Sequence, residues 1–145
     1  MEETYNLQRF LDVQNQSYSI AFNEIKSGKK QSHWMWYIFP QFIGLGKSTT
    51  SIKYAIKSKE EAIAYYHNKI LGKRLIEITE QLIKIQDKTA FEIFGGPDDL
   101  KLKSCMSLFA LVQNENNIFQ EVLDKYFEGK ISYKTKELLN KKDEK

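Results

Sequence analysis

Three stretches of this sequence hold the residues with chemistry to offer. The first, KKQSHWMWYIFPQ at 29–41, sets His33 beside Trp34 and Trp36 and ends on Gln41. Histidine is the one side chain there whose ordinary pKa suits proton transfer near neutrality. Two indoles and an amide around one pocket would stack and hydrogen-bond a base or another flat ring. The competing reading is structural. Five of the ten residues from His33 to Phe42 are aromatic, and rings this large are costly to leave in water, so most are expected in the core. His33 is then a helix-start or surface residue.

The second stretch, GLGKST at 44–49, is half of a phosphate-binding loop. Only Gly44 and Gly46 precede Lys47, so the G-x-x-x-x-G-K-[ST] spacing of a nucleoside triphosphatase is not met. A weaker capacity survives. Backbone N–H groups freed by Gly44 and Gly46, with Lys47 and Ser48 near a helix start, can hold a single phosphate. A plain turn and helix cap is the alternative.

The third, GGPDDLKLKSCMSLF at 95–109, opens a helix with Asp98 and Asp99. Carboxylates there interact well with unpaired N–H groups and the helix dipole, and Asp99 is spaced to pair with Lys103. The functional account makes one aspartate a general base, or a clamp on ribose hydroxyls, beside Lys103. Arg9 offers a planar fork suited to a phosphate or carboxylate, or to a salt bridge with Asp12 or Glu2. His67 fits a helix boundary, donating to a carbonyl. Cys105 has no neighbour pattern marking it as a nucleophile.

None of these motifs asks for a metal or cofactor. Cys105, His33 and His67 are all the cysteine and histidine in the chain, so a four-ligand Cys/His zinc centre is arithmetically impossible. A lone cysteine also excludes an internal disulfide. No stretch approaches the roughly 18 apolar residues of a membrane helix, and MEETYNLQRF lacks the pattern of a secretory leader. A cytoplasmic protein without a membrane partner is expected, and a monomer is assumed.

Charge placement matters more than the net +3. Residues 26–57 contain six lysines and no acid, whereas the first 25 residues carry four acids against Arg9. The local positive field lies over the aromatic stretch and fits an anionic small molecule. Chance solvation of a lysine run is the plain alternative.

The elements that must position these groups read as helices. Leu7, Phe10, Leu11, Tyr18, Ala21, Phe22 and Ile25 give an apolar stripe over 5–26. Residues 33–43 fit a short buried helix or a strand. Ser58 with Glu61, and Thr89 with Glu92, are spaced as capping boxes. Residues 69–86, 98–112 and about 117–128 have helical period. The expectation is an all-α fold, a single compact orthogonal array of about six or seven helices over 1–133. KTKELLNKKDEK at 134–145 is expected to be a charged, frayed tail.

LQRFLDVQ at 7–14, KKQSHWMWYIFPQ, GLGKS, LGKRL at 71–75 and GGPDDLKLKSCMSLF together resemble the DUF1810 family of uncharacterised bacterial proteins. The resemblance spans about 5–130 and implies a compact, mostly helical fold. It brings no activity. The family's His-Pro before the LG pair is His67-Asn68 here, and Cys105 stands where the family has a small hydroxyl residue.

The favoured function is binding or hydrolysis of a nucleotide-like or phosphorylated small molecule. In that reading His33 moves a proton and Asp98 or Asp99 orients water, with Arg9, Trp34, Trp36, Gln41, Gly44, Gly46, Lys47, Ser48 and Lys103 contributing to the site. Whether it is an enzyme is left open. A non-enzymatic protein-interaction domain is one alternative, and a single-stranded nucleic-acid-binding module is the other. The modest charge and only two arginines disfavour nucleic acid.

Overall fold

A computed structural model describes residues 5–113 and 117–143. Among them are nine helices: α1 Gln8–Lys26, α2 Met35–Ile38, α3 Thr49–Lys53, α4 Lys59–His67, α5 Leu71–Lys84, α6 Ala90–Phe94, α7 Asp98–Val112, α8 Ile118–Phe127 and α9 Tyr133–Asp143. The expected six or seven is therefore too few. Two elements behind the difference, α2 in the stretch read as a short helix or a strand and α3 in the stretch read as a turn and cap, are single turns, too short to show a period. The third, α9, carries mostly charged residues, yet it buries Thr135 and Leu139 inside the stretch read as a frayed tail. No strand is present among the described residues. Phe42 and Ile56 form one isolated parallel bridge, closed by Ile43 N–H to Ile56 O and Ile56 N–H to Gln41 O, both 2.9 Å.

α7 is the central element, packed against α4, α6, α8 and α9. Its sequence explains the position. Leu102, Cys105, Met106, Leu108 and Phe109 are all fully buried, and a helix apolar around most of its circumference must be surrounded. α5 is instead one-faced, with Leu71, Leu75, Ile78 and Leu82 buried toward α1, α4 and α8. Between α4 and α5 the chain turns so tightly that a Cβ on Gly72 would sit 1.9 Å from Tyr66 O. Only glycine fits there. The core also holds an aromatic cluster, with Trp34, Phe39 and Phe94 in mutual contact.

Local capping follows the sequence in part. Thr89 and Glu92 form a complete capping box at α6. At α4, Ser58 Oγ accepts from Glu61 N–H at 3.0 Å, but the Glu61 carboxylate turns to Lys57 N–H and Arg9. No described helix is long and apolar enough to cross a membrane.

Candidate functional site

The site is organised from α1. Glu24 Oε1 accepts from the backbone N–H groups of Gln31 (2.8 Å) and Ser32 (2.9 Å) and from Trp34 Nε1 (2.9 Å). Its Oε2 accepts from Ser32 Oγ at 2.5 Å. Burial pushes this carboxyl up, but the four donors outweigh it and hold its pKa down at about 2. One side chain thus fixes the course of the segment leading into α2 and the plane of the Trp34 indole.

Above that clasp stands Lys30, nearly buried. Its ammonium donates to Ser32 O at 2.6 Å, pairs with Asp98 Oδ2 at 2.9 Å and lies 4.9 Å from the Trp34 ring centroid. Asp98, first residue of α7, takes a second lysine on its other oxygen: Lys101 Nζ is 3.1 Å from Oδ1. Lys101 also lies 4.5 Å from the Trp36 centroid, a cation–π contact. Partial burial pushes the Asp98 carboxyl up, and the hydrogen bonds from Lys30 and Lys101 more than reverse this, leaving it below its ordinary value.

These residues line a cleft of about 440 Å³, completed by His33, Trp34, Met35, Trp36, Tyr37, Ser48 and Thr50. Trp36 is half-buried and wedged from behind. A Cβ on Gly46 would come within 2.6 Å of its Cη2 and 2.7 Å of Ser51, so Gly46 allows the 44–48 loop to close against the indole. Ser48 caps α3, its Oγ accepting from Ser51 N–H at 3.1 Å. The GLGKST stretch is thus a turn and a cap that supplies Ser48 to the cleft wall, with Thr50 following from α3.

Of the residues singled out from sequence, His33, Trp34, Trp36, Ser48 and Asp98 come together here. Trp34 does so from the core, only 1% exposed. Gly44, Gly46, Lys47, Gln41, Asp99, Lys103 and Arg9 are not among the lining residues. Gln41 is buried, with its Nε2 lacking a hydrogen-bond partner. Asp99 Oδ1 accepts from Leu100 N–H, and Lys103 lies 6.0 Å from the Phe127 ring centroid rather than on Asp99. Arg9 is committed to structure elsewhere. Its guanidinium donates to the carbonyls of Tyr5, Asn6, Lys53 and Ala55 and to Glu61 at 2.8 Å, not to Asp12; Glu2 lies outside the described residues.

Lys101 and Lys30 are the charged lining residues that the sequence did not single out, beside Met35, Tyr37 and Thr50. Lys101 carried a local signal, since it is spaced i,i+3 from Asp98 on α7. Lys30 carried none beyond membership in the acid-free lysine stretch. Cys105 is fully buried, its thiol pushed up by burial, which leaves no reactive thiolate. Among the described residues no three His, Cys, Asp or Glu side chains gather as a metal site.

Fold and site together define a small all-α protein whose central helix presents a lysine-flanked aspartate to an aromatic-walled cleft. The chain belongs to the DUF1810 family, described as a protein of unknown function, whose model matches residues 4–139. It is similar to the conserved hypothetical protein Rv1873 from Mycobacterium tuberculosis, whose crystal structure at 1.38 Å superposes with a TM-score of 0.93. The two are 42% identical over 95% of this chain and 99% of that one. No curated protein matches.

Proposed function

We propose that the cleft binds a small phosphorylated or nucleotide-like anion. One observation carries this reading: Lys30 and Lys101 share a single carboxylate, Asp98, so the lysines lining the cleft exceed its acids by one charge. Partial burial strengthens that excess, because a charge near a low-dielectric wall is poorly screened. Lys30 and Lys101 hold the anionic group. Trp36 and Tyr37 give a flat ring a wall to lie against, Ser48 and Thr50 add hydroxyls, and His33 at the exposed rim adds a ring that can hydrogen-bond the ligand.

Binding is favoured over hydrolysis. A general base needs a pKa suited to taking up a proton near neutrality, whereas Lys30 and Lys101 hold the Asp98 carboxyl below its ordinary value. Asp99 lies outside the lining residues. His33 is then a contact to the ligand, and turnover is not required of it.

Thermal-shift and calorimetric titration with pyrophosphate and nucleoside monophosphates test the reading. Lys101→Met removes one charge-assisted contact worth about 1.5–3 kcal/mol, so affinity should fall about tenfold or more. No binding by any phosphorylated compound, or equal binding in the variant, would overturn it.

A further inference from the structure

We infer that Asp98 sets the specificity of this cleft: it accepts a hydrogen bond from a hydroxyl carried by the bound anion, and so selects phosphate over sulfate. This rests on the anion-binding reading above. A carboxylate offers about four lone-pair positions, and Lys30 and Lys101 occupy one on each oxygen. Both oxygens therefore keep acceptor capacity, and Asp98 lines the cleft with its side chain 19% exposed. The two ammonium groups that would draw an anion in are the same two that touch Asp98. Any tetrahedral anion reaching both must come close to the carboxylate.

The protons that anion carries then decide how well it is held. Sulfate presents four acceptors and no donor, so it meets Asp98 as charge against charge with no bridging proton. The phosphate dianion has the same shape and charge but bears one hydroxyl, which can donate to a free Asp98 lone pair. A phosphate monoester can do so only as its monoanion. The lysines keep Asp98 ionised, so the carboxylate has no proton of its own to offer sulfate. Discrimination of this kind works by leaving the wrong ligand with an unpaired contact. Lysines are suited to the role, since as point donors they impose no planar geometry on the oxyanion.

Calorimetric titration of the full chain with inorganic phosphate and with sulfate, at about pH 8 where the phosphate is mainly dianion, tests the inference. Phosphate should bind at least about tenfold tighter, the usual scale of one hydrogen bond to a charged group. Asp98→Asn retains the shape and both lysines but removes the charge. It should bring the two affinities within about twofold, mainly through tighter sulfate binding. Glu80→Gln, exposed on α5, should keep the wild-type ratio. Equal affinities in the wild type, or an undiminished preference in Asp98→Asn, would overturn the role of Asp98. Should Asp98→Asn not fold, the wild-type comparison decides alone. If both anions bind equally and Lys101→Met abolishes both, the anion site stands and only its selectivity falls. If neither anion binds, the role of Asp98 is refuted, and the titrations with pyrophosphate and nucleoside monophosphates decide the site itself.

Discussion

Glu24 shows how much one residue can organise without touching a ligand. Its carboxylate holds Ser32 by two hydrogen bonds, Ser32 O orients the Lys30 ammonium, and Trp34, held by the same carboxylate, lies beneath that ammonium. Glu24→Ala leaves four donors without their acceptor and should cost about 2 kcal/mol of stability at neutral pH, read by urea denaturation. Glu24→Gln keeps a neutral acceptor and should cost less. The pH dependence has a definite sign. A carboxyl lowered from 4.5 to about 2 by folding stabilises the native state fully above its unfolded pKa and loses that contribution as pH falls through the folded one. The wild-type advantage over Glu24→Gln should therefore be full above about pH 5 and shrink steadily toward pH 2. An advantage that does not change with pH would show that charge is not what Glu24 contributes.

At the scale of elements, Arg9 ties α1 to α4 and to the segment between α3 and α4. Its fork meets carbonyls at Lys53 and Ala55 and the buried Glu61 carboxylate. With side-chain exposures of 8% and 3%, the pair has little water to fall back on. Breaking such a pair from one side strands a charge and typically costs about 3–5 kcal/mol. Arg9→Met should be destabilised by that amount in chemical denaturation. Adding Glu61→Gln should restore part of the loss, since the stranded charge is then gone, with a coupling above about 1 kcal/mol. Strict additivity of the two substitutions would contradict the assignment.

For the molecule as a whole, the central position of α7 makes its neighbours interdependent. α9 illustrates this, for it covers α7 and reaches the 44–48 loop: a Cβ on Gly44 would lie 3.2 Å from the methyl groups of Leu138. Ser132 N–H donates to the buried Ser107 Oγ of α7 at 2.7 Å, anchoring the chain just before α9 begins. Burial of a leucine contributes about 1.5–3 kcal/mol, and Leu139 is buried with Leu138 packed beside it. Truncation after Ser132 should lower stability by about 3 kcal/mol. An unchanged urea midpoint would mean that 133–145 behaves as a tail.

The long helices were legible because helical period is a local property. Apolar residues three and four apart mark α1, α5 and α8 wherever a helix has two or more turns to repeat them. The Thr89–Glu92 capping box is equally local. Single-turn α2 and α3 offered no repeat, and the lysines of α9 hid its few buried positions. The sequence by itself also determined which segments carry unusual residues, and His33, Trp34, Trp36, Ser48 and Asp98 do line one cleft. Only the tertiary structure decided which of their neighbours join them. Gln41 sits in the same stretch as His33 yet is buried away from the lining. Lys30 meets Asp98 across much of the chain, and Arg9 is consumed by Glu61. The physical reason is that burial and ion pairing depend on what arrives from elsewhere in the fold, and such partners leave no periodic trace in either segment.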